Sequence, residues 1–239
     1  MSGHAYMAPA RAPQRVHERE RGDPATGNPL SALAVAGLLA IGLALVWAVA
    51  ELIPAVRLKD AAALYELTTL NRPRVNSASE FLLHLLDPSL FILWAIALVA
   101  VAIAAERVRV AVAVAAVLAL APFSAELLKP LLAHKHDHVG GVVIGAASWP
   151  SGHATAATAL VLCAVLVAPQ RLRKPTAALG VLFVVAVSIA LLVLAWHMPS
   201  DVLGGVLLAS LWMAAAIAAL RASERLRPSR RRMVTEAPG

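Results

Sequence analysis

The sequence predicts an all-α integral membrane protein, a bundle of six transmembrane helices. The 239 residues are 60% apolar and 15% charged, with a mean hydropathy of +0.75, whereas soluble domains are roughly half apolar. The apolar residues fall in long charge-free runs, and the basic residues cluster beside those runs. A net charge of +7 therefore marks topology rather than a nucleic-acid footprint, which would need one basic face.

The first run, Leu30 to Ile53, is long enough to cross about 30 Å of hydrocarbon. Glu51, Leu52, Ile53 and Pro54 make a poor cleavage site, so the run is predicted to stay as an anchor. An outer loop from Pro54 to Pro88 follows. Its apolar-rich stretch Ala61 to Leu70 fits either a lid on the membrane interface or a plain connector. Ser89 to Ala105 and Val108 to Leu132 give the second and third spans, the former short. His153 to Ala168 gives a short fourth, Pro175 to Trp196 a fifth and Pro199 to Leu220 a sixth. Cys163, the single cysteine, lies within the fourth run and reads as a small buried hydrophobe, which excludes a disulfide scaffold.

Residues 29–221 are thus predicted to form the membrane domain. Residues 1–28 read as a disordered cytoplasmic tail and 222–239 as a basic one. With both termini inside, 15 of the 21 basic residues fall on the inner side, including Arg107 and Arg109, then Arg171, Arg173 and Lys174, then the cluster from Arg221 to Arg232. That asymmetry follows the positive-inside rule and predicts a multi-pass cell-membrane protein with cytoplasmic termini.

The unusual polar residues are Glu126, Lys129, His134, His136, Asp137, His138, Ser151, His153, His197 and Asp201. They sit at the end of the third span, the start of the fourth and the junction of the fifth and sixth. All three places emerge on the outer face, so distant stretches share one membrane depth. Ionisable groups there are costly unless paired or functional.

Their chemistry suits a phosphate. In Trp149-Pro150-Ser151-Gly152-His153, serine is a good helix N-cap and glycine lets an anion approach the backbone N–H groups. Asp201, four residues after His197, can hold one imidazole nitrogen and raise the basicity of the other, which prepares a nucleophile. Lys129 adds a fixed positive charge. The run His134, Lys135, His136, Asp137, His138 reads chiefly as a solvated loop touching headgroups or phosphate, with a metal site as the lesser alternative. Gly140, Gly141 and Gly145 suit a mobile loop across the mouth.

These residues resemble the type 2 phosphatidic acid phosphatase superfamily over about Leu128 to Gly205. Lys129 matches the lysine that opens the family's first motif. Pro150, Ser151, Gly152 and His153 match the second motif in full, and His197 with Asp201 closes the third. The chain departs from the pattern where His136 and Asp137 replace Arg-Pro and where Ala190 and Leu191 replace Ser-Arg. The resemblance implies a metal-independent phosphatase without cofactor, acting on a membrane lipid phosphate or isoprenoid diphosphate at the outer leaflet. It makes His197 the nucleophile that forms a phosphohistidine, Asp201 its orienting carboxylate and His153 the acid on the leaving oxygen. Lys129, Ser151 and the Gly152 N–H hold the phosphoryl oxygens. Lys135, His134 and His136, or Arg72 and Arg74 of the outer loop, are the candidates to replace the absent guanidinium groups. The alternatives on the same fold are a phosphoryl transferase and a weakened relative that binds lipid or a partner. A transporter would mark a path through the midplane instead.

Overall fold

The structure, a computed structural model, describes residues 27–133, 139 and 141–226. The predicted tails over 1–26 and 227–239 lie outside that set, as do His134, Lys135, His136, Asp137, His138 and Gly140. Eight helices are described: α1 (Pro29–Leu52), α2 (Pro54–Thr68), α3 (Pro73–His84), α4 (Pro88–Ala104), α5 (Val108–Leu131), α6 (Gly152–Val167), α7 (Gln170–Val193) and α8 (Pro199–Arg225). The fold class is as predicted, with α1, α4, α5, α6, α7 and α8 standing where the six spans were read.

Proline opens α1, α2, α3, α4 and α8, where its missing N–H costs nothing and its fixed φ suits the first turn. Four helices, α1, α5, α7 and α8, are long and apolar enough to cross a membrane alone, and α3 with α4 passes as a pair bent by 51°. At 16 residues, α6 is about 24 Å long and falls short of the bilayer core.

Packing is close because the facing residues are small, as membrane helices require. Ala121, Ala159, Cys163 and Ala209 are fully buried in one core with Val114 and Val117. The thiol is thus the buried small hydrophobe the sequence suggested. A second core, built on Leu64, Leu83, Ala157, Val187, Leu191 and Val202, underlies the other half. The stretch Ala61 to Leu70 is neither a surface lid nor a bare connector. It belongs largely to α2, whose Ala61 and Leu64 are buried in that second core.

One end of the bundle is tied by arginines. Arg107 donates to the carbonyls of Leu166 and Val167 at 3.3 and 3.2 Å, capping the C terminus of α6. Arg109 pairs with Glu224 at 3.0 Å. Arg221 donates to Asn28 O and Ser31 Oγ, and Arg225 to Asn28 Oδ1. These bonds carry α8 past the predicted span end at Leu220 to Arg225, so the expected basic tail begins inside the helix. Similarly, α7 begins at Gln170, before the predicted Pro175, and takes in Arg171, Arg173 and Lys174.

Candidate active site

The other end of the bundle gathers the polar residues. Two helices start there side by side. Ser151 caps α6: its Oγ accepts from the Ala154 N–H at 3.3 Å, and its carbonyl accepts from the Thr155 N–H and, at 2.7 Å, from the Thr155 hydroxyl. The Ser151 N–H donates to the Asp201 carbonyl at 2.9 Å, which locks α6 to the first turn of α8. Glycine permits this approach, since a Cβ on Gly205 would stand 2.6 Å from the Ser151 carbonyl oxygen and one on Gly204 2.8 Å from the Trp149 ring.

His197 arrives through the end of α7. Ala195 adopts φ 53°, the Trp196 N–H donates to Leu191 O and the Ala195 N–H to Leu192 O. This is a Schellman close, which reverses the chain and satisfies the last carbonyls. Two residues later His197 is buried, its Nδ1 3.4 Å from Asp201 Oδ2. Asp201 is fully buried, and the same Oδ2 accepts the Met198 N–H at 2.9 Å. The carboxylate therefore closes α8's N-terminus and faces His197 together, as the four-residue spacing implied. Its Oδ1 has no hydrogen-bond partner among the described residues.

His153 stands at the second residue of α6, its ring edge-on to Trp196 at a centroid distance of 5.7 Å. It lies within electrostatic reach of His197, Lys129, Asp87 and Glu126. Lys129, on the last turn of α5, donates to Glu126 Oε1 at 2.6 Å. That pair overhangs the start of α6, because a Cβ on Gly152 would meet Glu126 Oε1 at 2.9 Å and Lys129 Nζ at 3.5 Å. Lys129, Ser151, Gly152, His153, His197 and Asp201 thus come together. Arg72 and Arg74 are exposed at the start of α3, with no bond to these residues. His134, Lys135 and His136 lie outside the described residues. Leu191, where a guanidinium was expected, is fully buried among apolar side chains.

Sequence reasoning missed Asp60. On α2 it accepts from both the N–H and hydroxyl of Ser200, at 3.2 and 2.6 Å, between His197 and Asp201. Burial holds its carboxyl above the ordinary 3.8; the Ser200 bonds offset this in part, and the Asp201 charge adds to it. Nothing in the sequence could link positions 140 residues apart. Arg57, one turn earlier on α2, is half-buried.

An all-helical membrane bundle with a buried His-Asp pair facing a Ser-Gly-His helix start defines the class. Residues 110–225 match the PAP2 superfamily. The fold is also that of a solved structure, the first transmembrane PAP2 type phosphatidylglycerolphosphate phosphatase from Bacillus subtilis. The TM-score is 0.68 at 20% identity, over 82% of this chain and 98% of that one. Comparison with curated proteins gives no match.

Proposed function

We propose that the chain is a metal-independent phosphatase that hydrolyses a lipid phosphate or isoprenoid diphosphate at the outer leaflet through a phosphohistidine. The observation that carries this is the buried His197–Asp201 pair beside the open N terminus of α6. With Nδ1–H donated to Asp201, Nε2 of His197 keeps its lone pair for attack on phosphorus. The P–O bond to the lipid breaks as the P–N bond forms, and His153 gives its proton to the departing oxygen. Water then attacks phosphorus, its proton passes to His153, and the P–N bond breaks to release phosphate and restore both histidines.

The phosphoryl oxygens rest on the Gly152 and His153 N–H groups, Lys129 and the Ser151 hydroxyl, donors set in place before charge develops. His134, Lys135 and His136, which lie outside the described residues, and Arg72 and Arg74 are the candidates for the positive charge that the absent arginines would supply. A nucleophilic imidazole with such donors asks for no metal ion.

Phosphate release from phosphatidate, phosphatidylglycerol phosphate and undecaprenyl diphosphate, with chelator present, tests the reading. Release from at least one substrate is expected, and its absence from all three contradicts it. For the outer face, a cysteine at position 140 should react with an impermeant thiol reagent in intact cells and one at 172 should not. The reverse pattern rejects the orientation.

A further inference from the structure

Directly beneath His153 the bundle holds an apolar groove of about 310 Å³, walled by Leu86 at the α3–α4 bend, Trp94 of α4, Leu160 and Ala164 of α6 and Phe183 of α7. Its place follows from helix phase. Leu160 and Ala164 stand seven and eleven residues after His153 on α6, so both point within about 20° of the histidine's direction, roughly 10 and 17 Å further down the helix. Residues next to the groove's other walls also approach the histidine. Asp87, next to Leu86, is within electrostatic reach of His153, and Trp196 at the end of α7 packs against its ring. Leu85 and Leu86, in the link between α3 and α4 where the pair bends by 51°, line the groove, and the Trp94 Nε1–H pins that link by donating to Leu85 O at 3.2 Å.

His153, on the reading above, protonates the leaving oxygen. That oxygen carries whatever part of the substrate is not the transferred phosphoryl group, so the hydrocarbon tail must leave the phosphorus on the His153 side. We propose that the groove beneath His153 is the subsite for the tail of the leaving group, an acyl or prenyl chain long enough to reach Ala164. The inference rests on the proposed role of His153. A second apolar cleft, between α4 and α5, has no wall on α6 and lies off this line.

In the groove a chain exchanges contact with mobile lipid for contact with fixed walls, and each methylene adds to substrate selection only as far as the groove runs. Narrowing the groove should therefore penalise long chains and spare short ones. Ala164→Phe and Ala97→Phe fill it from opposite walls, while Ala115→Phe fills the other cleft. Hydrolysis of hexanoyl and palmitoyl phosphatidates is compared at equal surface fraction in detergent micelles. Both groove variants should lose about tenfold in kcat/KM on the palmitoyl substrate, about 1.4 kcal/mol of lost packing contact, with the hexanoyl rate unchanged. The Ala115 variant should keep the wild-type chain-length ratio. Parallel loss on both substrates, or a ratio shifted equally by Ala115→Phe, overturns the proposal.

A second measurement needs no turnover. In His197→Ala protein, phosphatidate bearing a diazirine at its tail end should label α4, α6 or α7 at the groove. Phosphatidylcholine with the same tail should label it far less. Equal labelling by the two lipids makes the groove an ordinary lipid contact and overturns the proposal. Groove labelling without phosphate release from wild type supports the subsite and rejects hydrolysis instead, so the two failures are distinct.

Discussion

The N termini of α6 and α8 start side by side, joined by one backbone bond from Ser151 to Asp201, yet they are built in opposite ways. In α8 the first residue is Pro199, which has no N–H. The Ser200 N–H is taken by Asp60, the Asp201 N–H by Met198 O and the Met198 N–H by Asp201 itself. Its donors are spent and two carboxylates already occupy its positive end. In α6 the only side-chain cap is a neutral hydroxyl on Ala154, and the Gly152 and His153 N–H groups have no partner among the described residues. A helix N terminus attracts negative charge through its dipole and free N–H groups. The α8 terminus spends that attraction on Asp201, which faces His197, while α6 leaves it unspent among the described residues. On the proposed mechanism, one helix start serves the nucleophile and its neighbour the phosphate.

The contrast can be broken in graded ways. The largest effect is expected from His197→Ala, which should abolish phosphate release; turnover near the wild-type rate rejects the assignment. Asp201→Asn leaves the shape but removes the carboxylate that fixes the tautomer, and kcat should drop about 10³–10⁴-fold, the scale for an orienting carboxylate replaced by its amide. Gly205→Ala forces a Cβ against the Ser151 carbonyl and parts the two helix starts. A shift near 1 Å costs about 10²-fold in rate, so kcat should fall by that order while the protein still extracts as a folded membrane species. Gly152→Ala meets only the flexible ends of Glu126 and Lys129. It should raise KM about tenfold, the loss of one charge-assisted contact, with the melting temperature nearly unchanged.

The smallest effect is on stability and concerns Asp60. A carboxyl whose folded-state value is raised favours its protonated form, so its contribution to docking α2 is complete below the ordinary 3.8 and declines as pH rises through the raised value. Wild-type melting temperature should fall across that acidic window, and Asp60→Asn should flatten the slope. An unchanged slope would show that Asp60 does not report the docking.

What was legible in the sequence divides along the same line. Apolar runs had to match the bilayer, so the six spans could be read before any packing was known. The short spacing from His197 to Asp201 sits within one turn, and the Ser-Gly-His start is local, so both termini were recognisable as chemistry. That Asp201 also caps α8, and that Asp60 completes the closure from α2, depends on tertiary contacts with no local signature. The helices α2 and α3 were not read as elements because neither carries a charge-free apolar run long enough to span, and the burial of Ala61, Leu64 and Leu83 depends on docking against the second core. The absent guanidinium at Leu191 was visible as a departure, but only the packing shows the position closed by apolar neighbours.

The central claim is that α8 prepares a nucleophile and α6 receives the phosphoryl group. Rapid quench with a labelled substrate tests it most directly. During turnover the protein should carry an acid-labile, base-stable phosphoryl group on the peptide containing His197, and Asp201→Asn should form it more slowly. Steady turnover with no phosphoprotein above background, or label on any other residue, would contradict the account.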